Sequence, residues 1–167
     1  RLFQTHMSWV ILDGTWARKI KKPVKYSFVD YSTLEKRKRF CHRENRLNSL
    51  ISPDIYKGVE PVKWTDGNVS FGGNGDTMDY CVKMKELPQE ERMDHRLQHD
   101  RVNKSHIREI ARILCDFHNR SHKAEEKYGS IDAIRDNFKP AFELEDLIQD
   151  QLGEGKRLNR IRQNVED

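Results

Sequence analysis

Lys19 and Glu44 are the residues whose types and settings suit chemistry. Lys19 lies in the basic run Trp16-Ala17-Arg18-Lys19-Ile20-Lys21-Lys22-Pro23, directly after the apolar residues Trp9 to Leu12 and an Asp13-Gly14 pair. Side chains alternate along a strand, so Ala17, Lys19 and Lys21 share one face and Trp16, Arg18 and Ile20 the other. A small residue followed two positions on by a lysine leaves open space beside a directed cation. Two readings compete for it: a lysine aimed at one particular phosphate, or an electrostatic patch for any polyanion. Taken alone, Lys19 is also compatible with an ordinary solvated lysine. Glu44 sharpens the choice. The spacing of Phe40, Leu47 and Ile51 predicts an apolar helix face, and Glu44 falls within it. A carboxylate on such a face is costly unless a cation meets it. Lys36, Arg37, Arg43 and Arg46 on the same helix are local candidates, Lys19 and Lys21 distant ones.

The elements that must position these residues follow from pattern. Trp9 to Leu12 reads as a strand, Asp13-Gly14 as a hairpin turn, and Thr15 to Lys21 as the return strand ended by Pro23. Ser32-Thr33-Leu34-Glu35 reads as a capping box opening a helix that Pro53 stops. Strands are expected near Gly58 to Trp64, Val69 to Phe71 and Tyr80 to Lys85, with Gly72 to Asp76 as a turn. From Pro88 the texture becomes polar, as in a linker or frayed helix. Ile107, Ile110, Ala111, Leu114 and Phe117 then recur at helical spacing. Further helices are expected through Ile131 to Ile134 and through Phe142 to Leu152. The fold class is therefore α+β: residues 1–86 form an antiparallel sheet with one helix, and residues 87–167 form helices.

Composition narrows the function classes. The chain has 167 residues, 35% hydrophobic and 35% charged, which predicts a modest core and solvated helices. Thirty-one basic and 27 acidic residues leave a net charge of +4, mild for a dedicated nucleic-acid binder. Cys41, Cys81 and Cys115 are widely spaced with no C-x-x-C, which argues against a disulfide framework and for a reducing, cytoplasmic setting. No apolar run approaches membrane-spanning length, and no signal peptide is visible.

The blocks "QTHMSWVIL", "ARKIKKPVKYSFVDYSTLEKRKRFCHRENRLN", "ISPDIYKGVEPV" and "YCVKMKELPQEERM" occur in this order. Together they resemble the aminoglycoside-phosphotransferase-like kinase family, in particular a bacterial branch often fused to a P-loop ATP-binding domain. The resemblance covers roughly residues 3 to 118. It implies a kinase-like small lobe with a hinge at its end, followed by an incomplete helical lobe. It implies ATP as cofactor, with Mg²⁺ in the complete protein, and a small-molecule phosphate acceptor that the sequence does not specify. Ala17 would leave room for adenine, Lys19 would meet the α/β-phosphates, and Glu44 would hold Lys19. Lys21 is the alternate lysine. Met84 to Leu87, with Glu86, resembles the hinge. Thr5, His6 and Ser8 sit where a loop covers the phosphates, although glycines are missing there.

The resemblance has departures. Arg18 stands where the family has an aromatic residue. The H-G-D-L-H…N catalytic segment and the later metal-binding aspartate do not occur, and Asp167 falls about where that segment would begin. The expectation is an ATP-binding portion with no catalytic or metal-ligating residues, inactive alone and prone to self-association through apolar surface. A non-catalytic kinase-like docking module is the alternative, and a nucleic-acid binder using Arg18 to Arg46 a further one. His99 to Asn103, "HDRVN", mimics a catalytic loop, but Asp100 and Asn103 are too close in sequence. Gly153 to Arg157, "GEGKR", lacks the rest of a P-loop. The pairs His95/His99 and His118/His122 lack the further ligands a metal needs.

Overall fold

The computed structural model describes residues 1–123 and 125–142. The chain divides into two compact units, Arg1–Arg120 and Ser121–Asp167.

The first unit is built on a six-stranded antiparallel sheet. Its strands are β1 (Leu2–Gln4), β2 (Ser8–Leu12), β3 (Trp16–Lys21), β6 (Tyr56–Thr65), β7 (Asn68–Phe71) and β8 (Asp76–Lys85), in the order β1-β2-β3-β8-β6-β7. Strands β4 (Lys25–Tyr26) and β5 (Val29–Asp30) form a separate small hairpin. The helix α1 (Leu34–Ser49) is inserted between β5 and β6 and packs on β8 and β6. The α+β class expected from the pattern is observed. The strands β1, β4 and β5 are additional to those expected. They are only two or three residues long, and such lengths leave no periodicity to read.

The β2–β3 turn forms as Asp13-Gly14 foretells. Gly14 has φ +97°, a conformation that favours glycine. Asp13 Oδ1 accepts hydrogen bonds from the backbone N–H of Thr15 (2.9 Å) and Trp16 (2.7 Å). Those bonds and the Arg18 guanidinium hold the Asp13 carboxyl down at about 2.

Helix α1 begins one residue later than the capping box predicts. Thr33 is the N-cap, accepting from the Lys36 N–H, while the Ser32 hydroxyl donates to Asp30 at 2.6 Å. The buried stripe of α1 also differs from the expected one. Leu47 and Ile51 are exposed, whereas Arg37 and Cys41 are buried. The true inward face runs through Arg37, Cys41, Glu44, Asn45 and Asn48. It is mostly polar, so hydrophobic spacing does not reveal it.

The core is correspondingly small. Cys41, Cys81, Val82 and Val62 are its most enclosed apolar residues, with Leu12, Ala17 and Tyr31 around them. Ser8, Lys21 and Arg37 are buried with them. Burial pushes the thiols up, Cys41 to about 11 and Cys81 to about 12.

After β8 the chain becomes helical, with a 3-10 turn at Gln89–Glu91, then α2 (Met93–Gln98) and α3 (Lys104–Arg120). The "HDRVN" segment is a turn and a cap: Asp100 has φ +53°, and Asn103 Oδ1 accepts from the N–H of Ser105 at 2.9 Å. Ile107, Ile110 and Leu114 on α3 are exposed. The second unit contains α4 (Glu126–Gly129) and α5 (Ile131–Phe142). The helix expected through Phe142 to Leu152 and the "GEGKR" segment lie, but for Phe142, outside the described residues.

Candidate functional site

Three strands and one helix converge on the face of β3 that carries Ala17, Lys19 and Lys21. Pairing with β2 sets Leu12 opposite Ala17, Val10 opposite Lys19 and Ser8 opposite Lys21. Pairing with β8 sets Met84 opposite Ala17 and Val82 opposite Lys19. Directly paired residues in an antiparallel sheet share a face. Ala17 is therefore enclosed by Leu12 and Met84, with Lys19 next along the strand.

The carboxylate of Glu44 meets both lysines. Lys19 Nζ donates to Oε1 at 2.9 Å and Lys21 Nζ to Oε2 at 2.5 Å. The cations thus come from the neighbouring strand, not from the helix's own basic residues. Side-chain exposure separates the two: Lys19 is 33% exposed and Lys21 4%. Lys21 also lies over the Tyr31 ring, 4.9 Å from its centroid. Burial pushes the Glu44 carboxyl up, but hydrogen bonds from Lys21 and Lys19 outweigh it and hold the group below the ordinary glutamate value. Burial likewise works against the charged form of Lys21, yet the bond and charge of Glu44 raise it above the ordinary lysine value.

Polar contacts fix α1 in the register this pairing requires. Arg37 Nε donates to both carboxylate oxygens of Asp79 on β8, at 3.0 and 2.9 Å. Asn45 Oδ1 accepts from the N–H of Gly58 at 3.0 Å, and Asn48 Nδ2 donates to the Tyr56 hydroxyl at 3.0 Å. Gly58 has φ +123° and sits at a bulge in β6. Strands β3, β6 and β8 are all tied to this one helix face, and hydrophobic spacing alone does not find these partners.

The remaining candidates occupy distinct places. Thr5 closes the β1–β2 turn, its Oγ1 accepting from the N–H of Ser8 at 3.0 Å and of Met7 at 3.3 Å. Ser8 is buried in β2, opposite Lys21. Met84 is paired on both sides, to Ala17 and Tyr56. Glu86 Oε2 accepts from the Gly14 N–H and Oε1 from Arg1 Nη2, each at 2.8 Å. The N–H of Lys85 donates to Ile55 O at 2.8 Å and that of Glu86 to Thr15 O at 3.0 Å. The expected hinge is thereby tied to both neighbouring turns.

Arg18 points to the opposite face of the sheet. It bridges Asp13 and Glu60, and its guanidinium lies 4.5 Å from the Phe71 centroid. Lys83 also pairs with Glu60, at 2.6 Å. Sequence reading marks Arg18 as a departure but not this bridging role. Asp13 is five residues from Arg18 across the turn, whereas Glu60 and Phe71 lie far away in the chain, so local sequence does not disclose the bridge. Two surface grooves lie elsewhere, one lined by Arg39, His42, Arg43 and Arg46 and one by residues of α2 and α3 with the segment between them. His95 and His99 stack at 4.2 Å. No group of three metal-ligating side chains occurs among the described residues. Among them, no helix is long and apolar enough to cross a membrane.

Fold and site together define a class: an α+β protein whose antiparallel sheet presents two lysines to a glutamate of one inserted helix. No protein-family model and no solved structure matches the chain. It is 26% identical over 166 residues to uncharacterized proteins of Mycobacterium tuberculosis and Mycobacterium bovis. The alignment covers 98% of this chain and 32% of each relative, so the chain spans about a third of their length.

Proposed function

We propose that the sheet and α1 form the ATP-binding small lobe of a kinase-like small-molecule phosphotransferase, with the helices after Pro88 beginning its second lobe. The observation that carries the reading is the Lys19–Glu44 pair at 2.9 Å, on the face shared with Ala17 and Met84. Phosphoryl transfer depends on fixed cations that neutralise charge on the phosphates. A lysine oriented by a helix glutamate and still 33% exposed is suited to that task. A base and metal ligands would have to come from residues other than the site described here, and the phosphate acceptor would bind outside it. Amide shift mapping during titration with MgATP tests the reading. Perturbation is expected at Ala17, Lys19 and Met84 to Leu87. Perturbation confined to the outer face of α1 would contradict it.

A polyanion-binding reading is favoured by one observation, the groove where Arg39, His42, Arg43 and Arg46 converge on α1. It predicts affinity for any polyanion that falls steeply with salt. The nucleotide reading predicts discrimination between ATP and other polyanions of equal charge. A non-catalytic kinase-like module shares the nucleotide site and differs in lacking turnover.

A further inference from the structure

Lys21 is a buried cation that the nucleotide role of Lys19 leaves unused. Its side chain is 4% exposed, held between the Glu44 carboxylate at 2.5 Å and the Tyr31 ring at 4.9 Å. In that position it cannot present its ammonium to a ligand. Glu44 nonetheless takes a second lysine on its one carboxylate. Taking any ammonium out of water is costly, and here two cations share a single anion. The trio therefore keeps an excess positive charge, which reaches solvent through Lys19. Each oxygen of Glu44 receives one lysine, so the carboxylate cannot turn without breaking a bond.

We infer that Lys21 is a positioning residue of the proposed nucleotide site: it locks the Glu44 carboxylate so that Glu44 orients Lys19 while Lys19 keeps N–H groups for a phosphate. This rests on the nucleotide reading of Lys19. The second oxygen of Glu44 explains the arrangement. Without Lys21, that oxygen is left half-buried with no cation, and the carboxylate is free to rotate and draw Lys19 inward. With Lys21 in place, Glu44 is held by one cation and shared with the other. The titratable groups around Glu44 are Lys19 and Lys21 from β3, Cys41 from α1, and Tyr31 beyond Lys21. Arg37 and Asp79 are already paired with each other further along α1 and β8.

The test combines carboxyl ¹³C NMR of Glu44, assigned with Glu44→Gln, with calorimetric titration of MgATP on the whole chain. Lys21→Met should move the Glu44 titration upward by about one pH unit or more and weaken MgATP about tenfold. Lys21→Arg should restore both. An unmoved Glu44 titration, or undiminished MgATP affinity, in a folded Lys21→Met overturns the inference. If wild type binds MgATP, Lys19→Met loses it and Lys21→Met keeps it, only the role of Lys21 falls. If wild type binds no MgATP, the nucleotide reading falls and takes this inference with it, even where the Glu44 titration shifts. Should Lys21→Met fail to fold, Lys21→Gln decides, since it removes the charge while keeping a hydrogen-bond donor toward Glu44. Weakened MgATP binding there supports the inference, and undiminished binding overturns it.

Discussion

Glu44 shows how one residue links stability to the site. Its carboxyl is held below the ordinary value by Lys21 and Lys19, which outweigh the opposing effect of burial. A group whose pKa is lower folded than unfolded adds stability above its unfolded value, about 4.3 for glutamate. That stability is lost as pH falls through the lowered folded value. Denaturant unfolding across the acid range should therefore show a limb below about pH 4 that is shallower in Glu44→Gln. Equal limbs in the two proteins would mean that the Lys19–Glu44–Lys21 trio does not exist in solution. Lys21 acts in the other direction. Its raised value contributes stability that is complete below about pH 10 and is lost as pH rises through the folded value.

At the scale of elements, α1 is held by polar partners more than by an apolar stripe. Arg37 and Asp79 are 11% and 16% exposed, so removing one leaves the other largely desolvated and unpaired. Arg37→Met should lower unfolding free energy by about 3 kcal/mol, near the low end for breaking a buried pair. Chemical denaturation measures it, and a loss under about 1 kcal/mol would place the pair effectively in water. The β7–β8 turn gives a second case. Gly75 has φ +113°, and a Cβ there would lie 2.1 Å from Thr65 Oγ1 and 2.6 Å from Trp64 O. Gly75→Ala should destabilise the β6–β7–β8 edge by more than about 1 kcal/mol, seen in the same assay and as faster amide exchange in β7.

These elements also show what the sequence could and could not disclose. Asp13-Gly14 and the alternation of β3 and β8 are local signals, and the strands formed where they point. The phase of α1 was not legible. Its inward residues Arg37, Asn45 and Asn48 are polar, and each is satisfied by a partner on a distant strand, so the visible apolar residues Leu47 and Ile51 marked the wrong stripe. Glu44 is legible because it falls within the apolar spacing and also faces inward. A carboxylate needing a cation leaves Lys19 as one of several candidates, and the kinase-like resemblance singles it out; the simultaneous pairing of Lys21 depends on tertiary geometry. Arg18 likewise drew attention only as a departure, since Glu60 and Phe71 are brought to it by the strand order.

At the scale of the molecule, the proposed function rests on Lys19, oriented by Glu44, binding the phosphates of a nucleotide. The chain spans about a third of the length of its mycobacterial relatives. Binding is the property that this sheet and helix should retain. With only one cationic anchor described, affinity should lie in the micromolar-to-millimolar range, about 4–8 kcal/mol. Calorimetric titration of wild type and Lys19→Met with MgATP, alongside thermal melts of both, is the most direct measurement. Saturable binding by wild type and none by Lys19→Met, with both proteins folded, is the expected result. Equal binding by folded Lys19→Met, or no binding by wild type, would contradict it.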